Sequence, residues 1–330
     1  MKEKEEILQK KNVRGVFEST DGEKLIVCVT EKLPEGSLAE EDIVPKSVES
    51  SEGRFDTDVI ESGEIGVLGL DSRVQNQKDR KGKERPATAG FSCGHPDITA
   101  GTLGTPLLEA DNYNGYVFLT NSHVAAPEQK DNIGDNVLQP GPADGGTNSD
   151  TIGTVIASSD IDPNSKNKTD IAICSVEEND LVKERTFQLA SVNDLTTEVL
   201  KDEKYYKSGR TTGVTDGTLV GTNGEVKVNG FVEGEAVTFT DVDLFSPILE
   251  GGDSGSLIGY ENDGKFYGSH IAFAGSPYQS IAIPISNVFE EFGSLYVIDS
   301  NGEREGEEKG PSDDGLTFLE KVKRWVLGFL

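Results

Sequence analysis

Ser254 stands in the run Gly252-Asp253-Ser254-Gly255-Ser256, preceded by Gly251 and followed by the apolar pair Leu257-Ile258. A serine hydroxyl is a weak nucleophile and needs a base within hydrogen-bond reach. The flanking glycines let the backbone turn tightly, so that the amides of Gly252 and Ser254 can point at one oxyanion. Taken alone, the run also reads as a glycine-rich hairpin. The candidate base is His123, in Thr120-Asn121-Ser122-His123-Val124-Ala125-Ala126, just past the apolar residues 116–119. Small neighbours leave its imidazole room to meet a substrate. A third group should orient the imidazole and stabilise its protonated form. Asp170 opens the apolar run Asp170-Ile171-Ala172-Ile173-Cys174, where a carboxylate can be partly buried. Asp160 and Asp162 are alternatives, but both sit in a polar loop with nothing to fix them. The chemistry open to these three side chains is acyl transfer.

Two other nucleophile arrangements fit less well. The order Ser…Asp…His requires glycine two residues after the nucleophile, and Ser256 stands there. Apart from His270, no histidine follows. A Cys93–His95 pair is too close in sequence for its side chains to converge easily, and Cys93 lacks a glycine frame.

Short strands must position these groups. Residues 116–121, 151–157, 170–176, 217–221, 235–239, 256–260 and 268–274 are apolar runs punctuated by glycine, with almost no helical periodicity. That spacing predicts an all-β barrel or sandwich. Residues 287–292 read as a short helix with Ser286 capping its first turn. Residues 1–70 read as a small α+β module. It has strands at 13–18, 24–30 and 56–60, the middle one apolar enough to be buried on both faces, and a short helix over 38–43. From 71 to 88 the chain is polar and basic, which predicts a linker and a potential processing site. The strand-rich segment is 89–298.

Residues 299–315 are acidic and glycine-rich and read as a disordered linker. In 316–330, Leu319, Val322, Trp325, Val326 and Phe329 share one helical face. Fifteen residues are too few to span a bilayer. This amphipathic helix therefore predicts docking on the protein's own domain or a partner, or contact with a membrane surface.

Composition narrows the partners. A net charge of −28, from 59 acidic and 31 basic residues, repels phosphate backbones and excludes nucleic acid as a natural ligand. It suits either a cationic substrate or a solvated surface, and the solvated surface needs no further assumption. Cys28, Cys93 and Cys174 have no metal-ligand spacing and cannot all pair, so neither a metal nor a disulfide framework is expected. The acidic run 305–308 reads as solvated tail. No cofactor is required by the chemistry. The first residues, Met1-Lys2-Glu3-Lys4-Glu5-Glu6, lack the apolar stretch of an export signal, which predicts a cytoplasmic location. A virion-associated or membrane-peripheral place would suit the acidic tail and terminal helix.

Positions 123, 170 and 254 are separated by 47 and 84 residues. The chymotrypsin-type triad runs His…Asp…Ser with gaps of about 45 and about 93. In these segments the chain resembles the trypsin-like (chymotrypsin-fold) serine peptidases. It is most similar to a prokaryotic group related to the plant narrow-leaf type protease. The matching stretches are Thr99-Ala100-Gly101-Thr102-Leu103-Gly104, Asn121-Ser122-His123-Val124, Leu138-Gln139-Pro140-Gly141, Gly209-Arg210-Thr211-Thr212-Gly213, residues 252–256 and Phe273-Ala274-Gly275-Ser276. The leading module, with Glu31-Lys32-Leu33-Pro34 and Thr57-Asp58-Val59-Ile60, also resembles the one that precedes the peptidase in that group.

The resemblance implies a mainly β fold, a double β-barrel with the site between the barrels. It implies a serine endopeptidase using His123, Asp170 and Ser254 on a protein or peptide substrate, self-processing included. The oxyanion hole would be the amides of Gly252 and Ser254. By alignment, Ile248 forms the base of the substrate pocket near Leu249 and Gly275 its wall, which favours an uncharged, apolar side chain. His270, in Gly268-Ser269-His270, resembles the wall residue that reads Glu or Gln in some relatives, or it is a histidine satisfied within a strand. Two departures stand out. Ser256 replaces a glycine of the digestive enzymes, and no freed N-terminus is evident to hold Asp253. A chain that kept the fold without turnover, as a binding or assembly protein, would carry the same residues.

Overall fold

The computed structural model describes residues 2–51, 53–67, 80–127, 129–232 and 235–305. The chain opens with helix α1 (Lys2–Leu8), then strands β1 (Val13–Ser19), β2 (Lys24–Val29), β3 (Gly53–Glu61) and the two-residue β4 (Gly66–Val67). Strand β5 (Tyr116–Thr120) leads into the single helical turn α2 (Ser122–Ala125), followed by β6 (Thr151–Ser158) and β7 (Ala172–Val176). Next come β8 (Lys204–Gly209), β9 (Gly213–Val232), β10 (Glu235–Phe245), β11 (Leu257–Asn262), β12 (Lys265–Gly275) and β13 (Ser280–Pro284). Helix α3 (Ile285–Phe292) closes the series. The mainly β class expected from the sequence is the one observed.

Two sheets carry the site. In the smaller, β5 and β6 flank β7, with Thr120 opposite Ala172 and Ser158 also opposite Ala172. In the larger, β8 to β13 form an antiparallel set that continues through β9 into β1, β2 and β3. Strand β2 shows why its residues fold as they do. Strand side chains alternate between faces. Leu25, Val27 and Val29 pack with Ile7 and Leu8 of α1, while Ile26 and Cys28 enter the largest apolar cluster. Buried on both faces, β2 lies between antiparallel β1 and parallel β3.

The module over 1–70 is hydrogen-bonded into the larger sheet, since Gly15 pairs with Val226 and Ser19 with Gly221 of β9. Several local expectations need correction. The helix read over 38–43 is only a pair of single 3-10 turns, Glu35–Ser37 and Glu40–Asp42, because none of these residues is buried and no apolar face exists to hold a longer one. Helix α3 begins before Ser286, with Pro284 at its N-cap, so Ser286 caps nothing. The basic linker read over 71–88 is folded from Arg80 onward. Arg80 is 2% exposed and donates to Ser208 Oγ at 2.5 Å and Gln188 Oε1 at 2.7 Å. Arg85 donates to the carbonyls of Gln139 and Asp150, and Ala87–Ala89 is a strand. Arg80 and Arg85 are thus bonded to the protein while residues 83–86 remain exposed, and residues 71–79 of the expected linker lie outside the described residues. Residues 299–305, read as part of a disordered linker, are anchored by Arg304 to Glu109 at 2.9 Å and Asp111 at 3.0 Å. The rest of that linker and the helix over 316–330 lie outside the described residues. Among the described residues, no helix is long and apolar enough to cross a membrane.

Candidate active site

The candidate base, His123, and the carboxylate of Asp170 meet at the end of β5. Helix α2 turns the chain immediately after Thr120, and the β5–β7 pairing sets Asp170 opposite that turn. Asp170 is fully buried. Its Oδ1 accepts the backbone N–H of His123 at 3.0 Å, and its Oδ2 is hydrogen-bonded to His123 Nδ1. The Asp170 carbonyl accepts from Asn121 Nδ2 at 2.8 Å and from the Ser122 amide at 3.2 Å. Backbone and side chain are thus both fixed, and the carboxylate orients the ring through Nδ1; among the described residues Nε2 makes no hydrogen bond. The imidazole side chain is 19% exposed, and the Phe231 ring packs nearly perpendicular to it at 5.9 Å between centroids. Of the two sequence alternatives, Asp160 and Asp162, the latter is committed to Asn164 and Ser165 in its own loop.

Ser254 lies on the turn between Leu249 and β11. Gly252 and Gly255 have φ of 94° and 93°, a region that side chains strain to enter. A Cβ on Gly255 would also stand 2.3 Å from Thr120 Oγ1 and 2.5 Å from the Thr102 carbonyl. This close approach seats the turn against the strand that leads to His123. Thr102 makes the joint: its N–H donates to the Ser254 carbonyl at 2.8 Å and its hydroxyl to the Gly252 carbonyl at 2.9 Å. Its own carbonyl accepts from Thr120 Oγ1 at 2.8 Å.

Around the turn, the amides of Asp253, Gly255 and Ser256 each donate to a carbonyl. Among the described residues, those of Gly252 and Ser254 do not, which leaves both donors for an oxyanion. Ser254 is 1% exposed, and its hydroxyl has no hydrogen-bond partner among the described residues. The structure therefore joins His123 to Asp170 directly and brings Ser254 to the same corner through Thr102 and Thr120. It shows no bond from the Ser254 hydroxyl to the imidazole. Such bonds are commonly long before substrate binds.

The group that holds Asp253 is Lys207 of β8. Its Nζ lies 2.9 Å from Asp253 Oδ2, both side chains being fully buried. Thr211 and Thr212 amides donate to Oδ1 at 2.9 and 3.1 Å, and the Glu250 amide donates to Oδ2 at 3.1 Å. Burial pushes the carboxyl up, but the Lys207 ammonium and the Thr212 hydroxyl outweigh it and hold it below the ordinary carboxylate range. Burial also pulls the Lys207 ammonium down, against the opposing pull of Asp253. Asp144 takes Arg210 in a bidentate pair at 2.5 and 2.7 Å, and Thr211 Oγ1 donates to the Gly251 carbonyl at 2.6 Å.

We predict that Lys207→Met, which leaves a buried carboxylate without its cation, destabilises the protein by about 3–5 kcal/mol in urea unfolding. The sign of the pH dependence follows. A carboxyl held low in the folded state stabilises above its unfolded value of about 4, and that support is lost as pH falls through the folded value. The variant should lose this acid limb. A change below about 1 kcal/mol would mean that the pair does not hold the turn.

The expected substrate-pocket residues separate. Ile248 and Leu249 are buried at the head of the turn, their amides donating to Ser280 Oγ at 2.9 and 3.1 Å. Gly275, at the end of β12, pairs with Ser280. His270, expected as a pocket wall able to read Glu or Gln, is fully buried with both ring nitrogens in use. Its Nε2 donates to Asp243 Oδ2 at 2.9 Å and its Nδ1 accepts from Ser269 Oγ at 2.8 Å. It has no donor left for a substrate and is corrected to a histidine satisfied within its strand. Cys93 is equally unsuited to chemistry, since burial pushes its thiol up to about 12. His95 is bound to Asp135 at 3.1 Å. Among the described residues, no group of three His, Cys, Asp or Glu side chains could hold a metal ion.

Sequence reasoning missed Thr102, Lys207, Asp144 and Phe231 as neighbours of the site. Thr102 lay within a matching stretch, and Lys207 is a lone charge within Tyr205-Tyr206-Lys207-Ser208-Gly209, a signal that a buried partner must exist.

No family model and no curated protein matches the chain. Solved structures similar to it include Thermobifida fusca Protease A, at 17% identity and TM-score 0.43 over 64% of this chain and 97% of that one. Cellulomonas bogoriensis chymotrypsin is similar at 18% identity and TM-score 0.43, over 64% and 97%. A glutamic acid-specific serine protease that uses a histidine triad in substrate binding is similar at 17% identity and TM-score 0.45, over 64% and 99%.

Proposed function

We propose that the chain is a chymotrypsin-like serine endopeptidase with a double-barrel peptidase segment, acting on protein or peptide substrates through His123, Asp170 and Ser254. The observation that carries this reading is the buried Asp170 carboxylate bonded to His123 Nδ1, beside a glycine-framed serine whose hydroxyl has no other partner. In the proposed reaction, the Ser254 Oγ attacks the scissile carbonyl carbon while His123 Nε2 accepts its proton. The Gly252 and Ser254 amides hold the resulting oxyanion. As the intermediate collapses, the C–N bond breaks, and the imidazolium returns the proton to the leaving amine, giving an acyl-enzyme. Water, deprotonated by the same imidazole, then releases the acid and restores the serine. The matching stretches around Thr102, Arg210 and Gly252 come together at this turn, and the resemblance of their sequences to the group related to the plant narrow-leaf type protease is part of the proposal.

Ile248 and Leu249 at the head of the turn favour an uncharged, apolar residue before the scissile bond. A fluorophosphonate probe tests the whole reading, because it labels only a serine activated by its base. Labelling mapped to Ser254 is expected, and its absence would sink the catalytic reading in favour of a silent binding or assembly protein. Peptides differing only before the scissile bond should show about tenfold preference for apolar residues over Glu or Gln. A Glu or Gln preference would reverse the pocket assignment.

A further inference from the structure

One edge of β12 connects the candidate nucleophile to the N-terminal module. Strand β13 takes the opposite edge from His270 onward, pairing with Ile271, Ala272, Ala274 and Gly275. On the free side, β11 pairs up to Ile271. Next along that edge comes the Ser254 turn, with the Gly255 N–H donating to the Ala272 carbonyl and the Ala272 N–H to the Ser256 carbonyl, both at 2.9 Å. The positions immediately beyond, Ala274 and Gly275, are paired with Val67 and Gly66 of β4. An extended peptide that approached Ser254 by adding a strand to β12 would need these same backbone groups.

Strand β4 is well seated there. Ile65 is fully buried, and its carbonyl accepts the Asn229 N–H at 3.0 Å. Val67 stands over Gly230, where even a Cβ would lie 2.4 Å from Val67 Cγ2. The next residue, Phe231, is the one whose ring packs perpendicular to His123. Upstream, Glu64 holds Arg14 of β1 through two bonds of 2.8 Å, so the segment is tied to the module's own fold. Its direction also fits. Because β4 is antiparallel to β12, passing from Gly66 to Val67 moves from Gly275 to Ala274, toward the Ser254 turn. A peptide that acylates Ser254 must arrive with this polarity, its carbonyl end leading.

We infer that β4 holds, in cis, the backbone edge through which an extended substrate reaches Ser254, so that the module regulates the site by competition. The inference rests on the peptidase reading and adds that peptide must displace residues 65–67. The apparent affinity for an extended peptide falls by the fraction of molecules in which β4 has left. A small probe that uses only Ser254 and the oxyanion amides pays no such penalty.

The test compares two ligands on the full-length chain. In Gly66→Pro, which removes a strand N–H, kcat/KM for an extended peptide is expected to rise about tenfold. Fluorophosphonate labelling should change less than about twofold. Unchanged or lower kcat/KM with normal labelling overturns the inference and leaves the peptidase intact. Absence of labelling in the unmodified chain overturns the peptidase reading itself. A second measurement needs no variant. In the unmodified chain, a peptidyl phosphonate on Ser254 should abolish hydrogen-exchange protection of the Asn229 amide, which bonds to Ile65. The small fluorophosphonate adduct should leave it protected. Equal protection in both adducts would show that β4 stays in place and overturns the inference.

Discussion

Ser254→Ala is expected to lower kcat by about a million-fold while leaving the unfolding midpoint within about 0.5 kcal/mol of the parent. Both halves follow from one geometric fact. The hydroxyl is buried and has no hydrogen-bond partner among the described residues, so its removal orphans no group, yet in the proposed reaction it is the atom that attacks the carbonyl carbon. The fold of the turn depends on Thr102, Asp253 and Gly255, none of which the substitution touches. The paired amides of Gly252 and Ser254 would survive, and residual hydrolysis of about a thousandfold over water should remain. Casein-type hydrolysis with purified variant provides the measurement. Residual activity above about one per cent of the parent would assign the reaction to another nucleophile.

Asp170→Asn is the second large effect, with an expected loss of about ten-thousandfold in kcat and little change in KM. The substitution is nearly isosteric. The Asp170 carbonyl keeps its bonds to Asn121 and Ser122, and an amide oxygen can still accept the His123 N–H. At Nδ1, however, an amide NH2 would meet the ring where a carboxylate now accepts. The imidazole must then place its proton on Nε2, the atom that should receive one from Ser254. The loss should therefore come without unfolding, visible as an unchanged circular dichroism spectrum. A fall of less than about tenfold would remove Asp170 from the machinery.

These residues were readable because each advertises itself locally. Ser254 sits in a glycine frame, His123 ends an apolar run, and Asp170 begins another. Strands β5, β6, β7, β10, β11 and β12 were legible for the same reason, as was the stretch 217–221 of the 20-residue β9, whereas β8, with a lysine at each end of its tyrosine pair, and the five-residue β13 were not read. What escaped reading depends on distant pairing. Lys207 and Asp253 are 46 residues apart, and nothing in either segment specifies the other. Arg80 looked like part of a solvated basic run until Ser208, far along the chain, supplied its partner. His270 shows the complementary limit, since its type permits a substrate contact and only Asp243 and Ser269 decide that its nitrogens are already spent. Helix α1 was overlooked because two apolar residues, Ile7 and Leu8, carry almost all its packing.

Strand β9 runs for 20 residues, and part of its length from Gly221 to Val226 is covered by β1 alone on one side. A break in the polypeptide after the module would not by itself free that flank, because the ladder needs no peptide bond to persist. If the module did leave, a row of unpaired amides and carbonyls would face solvent and recruit another strand. The cut chain should thus remain a two-piece complex, or else associate through that flank with its own copies.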